Sequence, residues 1–427
     1  MLGLTLASFG MTPAAVAQPC DEFTFVASPN VGSEANFLIG VAALGASDAW
    51  AVGHYRSGST DLPLSMHWNG TAWNTVAMPT PPSSGGSPHV SLYDAHAFAP
   101  NDVWAVGSNP PASTGSAAVE TLVYHWDGLA WSIVPSPIGC CGSFGSQFYS
   151  VDGVSSDDFW AVGYKANQVA AGPLAAHWNG SNWEEHLLPT STGSVNALKD
   201  LHVIASDDIW ALEASGISQP NAPRRIFHWN GSAWSEDALP INAVLYGAAE
   251  AIFAFGSNDI WVSSFRLSPV QLVMLHWNGS TWTQLSVPVF AYEFFGNAPN
   301  DLYAVGNASI MHWNGLAWTV VETLAGATQG NCFDSELAPD GTLWCAGNTQ
   351  PGPDSQTLTA RFRSCSQIIP GDIDGDGDVD SIDLPLFTSV LIGLDIDAQH
   401  IARADLTNDG LANGTDIRPF AAALIGG

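Results

Sequence analysis

The sequence predicts a mainly β protein, a seven-bladed β-propeller of four-stranded blades, plus a small α-helical calcium-binding domain at its C-terminal end. Three observations carry this. A unit made of NDVWAVG (101–107) and HWDGLAW (125–131) recurs along the chain. All 18 Trp of the 427 residues fall into three columns of that unit. An acidic stretch, DIDGDGDVDSID at 372–383, returns in diluted form 33 residues later. Self-similarity at a period of roughly 40–55 residues, with several short strands per unit, is the signature of a propeller.

The first column is Trp50, Trp104, Trp160, Trp210, Trp261 and Trp344, with Tyr303 taking the same place in a seventh unit. The second is Trp68, Trp126, Trp178, Trp229, Trp277 and Trp313, each preceded by His; the third is Trp73, Trp131, Trp183, Trp234, Trp282 and Trp318. Seven first-column aromatics mean seven blades. In the second unit, 91–98 reads as an inner strand and Pro100-Asn101-Asp102 as a turn. Strands at 103–107, 121–126 and 131–134 follow, the last two joined at Asp127-Gly128. Asn-Gly or Asp-Gly between apolar runs predicts a tight hairpin whose central residues take positive φ. Asp48, Asp102, Asp158, Asp208, Asp259 and Asp301 precede the first-column aromatic by two residues, and are expected to hydrogen-bond the turn backbone. Six identical copies argue for structure, since catalysis must break the repeat.

Charge is lopsided: 40 Asp plus Glu against 10 Lys plus Arg, net −30. Such a surface repels nucleic acid and anionic membranes, and suits cations or neutral ligands. Residues 1–17, MLGLTLASFGMTPAAVA, are uncharged and end in Ala-Val-Ala, which predicts an export signal cut after Ala17 and a secreted protein. Pro13 and a length below the roughly 20 residues of a membrane span argue against a transmembrane anchor. Export suits six cysteines without CxxC spacing, which read as disulfides rather than metal ligands.

Calcium loops place oxygen ligands at positions 1, 3, 5, 7 (a backbone carbonyl), 9 and 12, with Gly at 6. Here these are Asp372, Asp374, Asp376, Asp378, Asp380 and Asp383, with Gly377 at the turn. The second copy offers Asp405, Thr407, Asp409, Leu411, Asn413 and Asp416, with Gly410. Two Ca2+ ions are therefore expected. Leu384 matches Ile417, Phe387 matches Phe420 and Leu391 matches Leu424 in the segments that follow, predicting two helices each with one buried face. Carboxylates ~6 Å apart repel by roughly 0.7 kcal/mol per pair even in water. That spacing makes sense around a cation.

The loop pair, each followed by a helix and with Asp at position 12, resembles a dockerin domain over 371–427; Pro370-Gly371 argues against the preceding helix of an ordinary EF-hand. The resemblance implies the calcium ligands just named, and a cohesin-like partner read by Ser381-Ile382 and Gly414-Thr415. The repeats resemble secreted bacterial propellers with DVWAVG-type units, and more loosely kelch, WD-repeat and sialidase propellers. The kelch double glycine and the sialidase Asp-box are absent as written, so this second resemblance implies fold and no activity.

The expected domains are 1–17 (signal), 18–366 (propeller) and 367–427 (dockerin-like). FTFVASP at 23–29 aligns with WNTVAMP at 73–79, so strand 22–29 is expected to be the outer strand of blade 7. Along the same alignment Arg361-Phe362 takes the His-Trp place, and Cys20 and Cys365 flank the interrupted hairpin, which predicts a disulfide between them. Cys332 with Cys345 and Cys140 with Cys141 remain.

For function, two classes compete. One is a binding or display propeller, presenting a face to a glycan or protein ligand and docked through its tail. The other is a carbohydrate-active enzyme, a glycoside hydrolase or polysaccharide lyase, since dockerins accompany polysaccharide-degrading modules. Asp94, Asp200 and Glu293 share a column ten residues before the first-column aromatic, with Asp334 nearby. They are expected to line the central channel as solvated carboxylates, since no His or Arg constellation accompanies them.

Overall fold

A computed structural model gives the structure of the chain and describes residues 24–82, 89–109, 120–136, 145–166, 171–189, 196–215, 225–238, 251–267, 270–306, 309–323, 331–349, 355–363, 371–373, 379, 381–395, 398–407 and 411–426. It divides into two compact units, Phe23–Phe362 and a second that contains Arg363–Gly427. The first unit is seven four-stranded antiparallel sheets, one for each first-column aromatic. Blade 1 runs Asn36–Gly45, Asp48–Ser57, Thr60–Trp68 and Trp73–Val76, from the inside outwards. Blades 2 to 6 follow the same order. Blade 7 takes Asn331–Leu337, Thr342–Asn348 and Thr357–Arg363 from the end of the repeats and Thr24–Val26 from their beginning. Thr24, Phe25 and Val26 pair antiparallel with Arg361, Ala360 and Thr359.

Tryptophan locks blade to blade. Trp50 of blade 1 lies 4.9 Å from Trp126 and edge-on, at 5.4 Å, to Trp131, both in blade 2. Trp160 makes the same pair of contacts with Trp229 and Trp234, and Trp261 with Trp313 and Trp318. Trp344 of blade 7 meets Trp68 and Trp73 of blade 1, both at 5.3 Å, which closes the ring. Each repeat thus supplies one wedge and one socket. Burying an aromatic side chain of about 200 Å² is worth about 5 kcal/mol gross, before the entropy of ordering it.

The Asp of the DVW motif does a different job from the one expected. Its carboxylate binds the His Nε2 of the same blade in His67–Asp48, His125–Asp102, His177–Asp158, His228–Asp208, His276–Asp259 and His312–Asp301, at 2.7–2.9 Å. Each imidazole also stacks on the first-column aromatic, as His67 does on Trp50 at 4.4 Å. A carboxylate two residues from the Trp points along its own strand towards the neighbouring strand's His, so it finds a side chain before it finds the turn. The outer hairpin differs too. Trp68 pairs with Trp73, so its loop holds four residues, 69–72, rather than two. Asn69 Oδ1 accepts the N–H of Thr71 and of Ala72, while Gly70 takes φ 87°.

Of the cysteines, Cys332 and Cys345 are joined, with Cα atoms 5.8 Å apart. Cys20, Cys365, Cys140 and Cys141 lie outside the described residues, as does the segment 1–17. Glu213 of blade 4 stands where blades 1, 2, 3, 6 and 7 have Gly, and forms a buried ion pair with Arg225, Nε to Oε2 2.7 Å.

In the second unit, helices Asp383–Leu391, Ala398–Ala404 and Ile417–Gly426 enclose Ile373, Phe387, Val390, Ala404 and Phe420. Phe387 and Phe420, the matched residues of the duplication, stack face to face at 3.9 Å. The expected buried face is shifted, however: Leu384 and Ile417 are 47% and 52% exposed. They sit in the first turn of their helices, beyond the reach of the Phe387–Phe420 stack. No described helix is long and apolar enough to cross a membrane.

Candidate functional site

The inner strands carry the site, and a β-bulge in blades 2, 3, 4 and 7 aims it. Pairing of inner and second strands skips a residue between Leu92 and Asp94, between Phe148 and Ser150, between Leu198 and Asp200, and between Cys332 and Asp334. A bulge turns two consecutive residues towards one side. Tyr93 with Asp94, Tyr149 with Ser150, Lys199 with Asp200, and Phe333 with Asp334 therefore all face the channel, joined by Tyr292 and Glu293 of blade 6. The last residue of DVWAVG permits this. A Cβ on Gly107 would stand 2.0 Å from the Ser91 carbonyl oxygen, and one on Gly347 1.8 Å from that of Asn331. In these blades Gly leaves room for the second strand to approach the kinked inner strand closely, whereas blade 4 forms the same bulge with Glu213 in that place.

The result is a mouth of ≈ 350 Å³ with aromatic walls and an acidic floor. Tyr93 and Tyr149 lie 5.3 Å apart, and Lys199 Nζ sits 4.7 Å over the Tyr149 ring. Burial pushes the Tyr149 phenol up to about 12, so it stays a neutral donor. Beneath lie Asp94, Asp200, Glu293 and Asp334, which also bound a second cavity of ≈ 550 Å³ deeper in the channel. There Asp152 faces His96 and His202, Nδ1 to carboxylate 3.4 and 3.9 Å. Desolvation lowers the pKa of both imidazoles.

The carboxylates expected to line the channel do line its cavities, and they are hydrogen-bonded as well. Asp94 Oδ2 accepts the N–H of Val151 in blade 3, 2.8 Å away, and Oδ1 that of Ala95. Asp200 does the same for Ile252 of blade 5 and Leu201, and Asp334 for Val41 of blade 1 and Ser335. Asp152 and Glu336 repeat the device one layer deeper, on Val203 and Ala43. These carboxylates staple one blade to the next. Asp334 stands ten residues before Trp344 and so belongs to the same column as Asp94, Asp200 and Glu293. Blade 1 has Gly40 there, where a Cβ would meet the Asp94 Cα at 2.6 Å. Among the described ring carboxylates Glu293 stands apart: its one hydrogen bond comes from the adjacent Phe294 N–H, at 3.1 Å.

Burial, and then the charges of the neighbouring carboxylates, raise Asp94 and Glu293 well above the usual carboxylate range. Burial pushes Asp200 and Asp334 up to about 7. A carboxyl whose pKa is raised on folding binds its proton more tightly in the folded chain. Its contribution is full below the unfolded value near 4 and is lost as pH rises through about 7. Propeller stability should therefore fall by about 1–3 kcal/mol between pH 4 and pH 8, with water in the channel holding the figure to the low end. Asp200→Asn with Asp334→Asn keeps an oxygen for each staple and should flatten that slope. Unfolding in urea at saturating calcium, followed by Trp emission, reads it; an unchanged slope in the double variant would refute the assignment.

The tail holds the other concentration of carboxylates. Asp372, Asp383 and Asp416 are buried, the last two fully. Asp383 Oδ1 accepts the Ile373 N–H at 2.5 Å, and Asp416 accepts those of Thr407 and Asn413 at 2.9 and 2.8 Å. The residue at position 12 of each loop is thus tied to its own loop backbone. Thr407 Oγ1 lies 3.4 Å from Asp405 and 3.0 Å from Asp416. Asp374, Asp376, Asp378, Asp380 and Asp409 lie outside the described residues. Buried all-oxygen donors of this kind fit a hard cation.

The family model of the dockerin type I domain matches residues 370–420. The tail carries a dockerin type I domain. Dockerins generally bind calcium and dock to cohesins, and proteins that contain them are typically extracellular. On this dockerin Ser381 and Ile382, and Gly414 and Thr415, are all exposed beside Leu384 and Ile417. The outward turn of those two helix residues therefore adds apolar surface beside these four exposed positions. No curated protein matches the chain. Among solved structures, a lectin of Aleuria aurantia in complex with Fucα1-6GlcNAc is 13% identical, with a TM-score of 0.42, covering 68% of this chain and 96% of its own. The SapL1 lectin in complex with α-methyl fucoside is 14% identical, with a TM-score of 0.40, covering 66% and 95%.

Proposed function

We propose that this is a secreted binding protein whose propeller takes a small neutral or cationic polar ligand, a glycan end foremost, in the channel mouth, while the dockerin ties it to a cohesin-bearing partner. The observation that carries the reading is the mouth itself: Tyr93, Tyr149, Tyr292 and Phe333 around a floor of carboxylates. Aromatic faces stack on the C–H face of a sugar, phenols and Glu293 exchange hydrogen bonds with hydroxyls, and the acidic floor repels anions. Catalysis is the weaker reading. A general acid or base needs a free oxygen within reach of the substrate, and Asp94, Asp200 and Asp334 each commit both oxygens to backbone N–H groups.

On this reading the dockerin holds two Ca2+ ions, through Asp372, Asp374, Asp376, Asp378, Asp380 and Asp383, and through Asp405, Thr407, Asp409, Leu411, Asn413 and Asp416. Export through the segment 1–17 places the protein outside the cell or on its surface. A glycan and polysaccharide panel, scored for both binding and product release, tests the propeller. Tyr93→Ala with Tyr149→Ala should weaken binding by at least tenfold, about 1.4 kcal/mol, without moving the unfolding midpoint. Retained binding in that variant would refute the mouth as the site, and released product would establish the enzyme instead.

A further inference from the structure

Blade 3 departs from the repeat on its outer hairpin. Where it has Glu184, other blades have Asn74, Ser132, Ser235, Thr283 or Thr319, and four of those hydroxyls donate to the carbonyl of the HW histidine. Where it has His186, blades 1, 2, 5 and 6 have Val76, Val134, Leu285 and Val321. The hairpin register sets Glu184 directly across from His177, and alternation puts His186 on the same face, two residues along. One donor atom from each of the three lies within 4.8 Å of the other two.

The surroundings prepare both imidazoles for a ligand's work. His177 bonds Asp158 through Nε2 at 2.7 Å, which leaves Nδ1 for another partner. A carboxylate behind an imidazole fixes its tautomer and orientation, as the outer shell of metal sites does. His186 lies between Trp160 and Trp229, with ring centroids at 4.7 and 4.8 Å, and its Nε2 is buried without a hydrogen-bond partner. Burial, then the neighbouring His177, lowers the His186 pKa and so favours the neutral, metal-binding form. Asn179 Nδ2 holds Glu184 Oε1 at 2.7 Å.

We propose that His177, Glu184 and His186 form a site for a divalent transition-metal ion of the zinc class. Two imidazoles and one carboxylate are a donor set that zinc, cobalt, nickel and copper accept and that calcium does not prefer. Ligands about 2.0–2.2 Å from an ion stand about 3.4 Å apart, so binding draws the three donor atoms together from separations of up to 4.8 Å. Three protein ligands leave a coordination position for water or a ligand.

The test uses the full chain with its tail saturated in Ca2+, titrated with Zn2+ by calorimetry and with Co2+ by visible d–d absorption. One ion per chain is expected, with affinity falling as pH drops below the imidazole range. His186→Val and Glu184→Ser use residues that other blades already carry, so each should fold with an unchanged midpoint. H186V should weaken binding at least 100-fold and E184S at least 10-fold. Should H186V fail to fold, E184S decides alone. No uptake of either metal by the native chain, or native affinity in a folded variant, would overturn the proposal.

Discussion

Stripping calcium with EDTA is expected to unfold residues 371–427 and to leave the seven sheets standing. The tail has a small apolar core, centred on Ile373, Phe387, Val390, Ala404 and Phe420, and a unit of this size rarely holds together on its core alone. Asp372, Asp383 and Asp416 are buried, and their charge would lose the cation's stabilisation once it is gone. Where no preformed site exists in the unfolded chain, binding free energy is folding free energy. The readouts separate cleanly, because all 18 Trp precede residue 345. Helical ellipticity should collapse while Trp emission stays unchanged. Calorimetric back-titration should return two ions, the tighter in the loop of Asp372, which has more carboxylates than the loop of Thr407. Equal helicity in EDTA, or a single ion, would sink the assignment.

A chain that begins at residue 30 should lose much of its propeller stability, on the order of several kcal/mol against a total that rarely exceeds about 15. It lacks the Thr24–Val26 strand, so Thr357–Arg363 becomes an open sheet edge. It also loses the bond from Thr359 Oγ1 to the Val26 carbonyl and that from Ser28 Oγ to Thr357 Oγ1, 2.7 and 2.8 Å. Scanning calorimetry should show the Trp-bearing transition at least 10 °C lower, by the usual relation of free energy to midpoint. A peptide covering 22–29 should restore part of the shift. An unmoved midpoint would show that the closing strand is dispensable. The closure we propose also includes the Cys20–Cys365 bond, whose loop entropy contributes up to about 5 kcal/mol. Peptide mapping without reductant should recover that pair, and Cys20 joined elsewhere, or free, would refute it.

How much was legible varies with the range of the interaction. The sequence by itself determined the blade count, the four strands per blade and the duplication in the tail. Each is written in local periodicity: one aromatic per second strand, one Asn-Gly or Asp-Gly per outer hairpin, one Phe per calcium-loop helix. Tertiary structure decided what the periodicity does not encode. A bulge adds one residue and brings Tyr93 and Asp94 to the same side, whereas strict alternation would send them to opposite faces. Gly at the end of DVWAVG accompanies the kink in blades 2, 3 and 7, but Glu213 takes that place at the same kink in blade 4, so that position alone does not encode it. The destination of Asp94 was hidden because its partner, Val151, is 57 residues away in another blade. The cluster of His177, Glu184 and His186 escaped for the same reason at shorter range. Pattern marks each as a strand residue, and only hairpin register makes His177 and Glu184 face each other. Leu384 and Ile417 match in sequence, yet both turn outwards, because the Phe387–Phe420 stack had already filled the core.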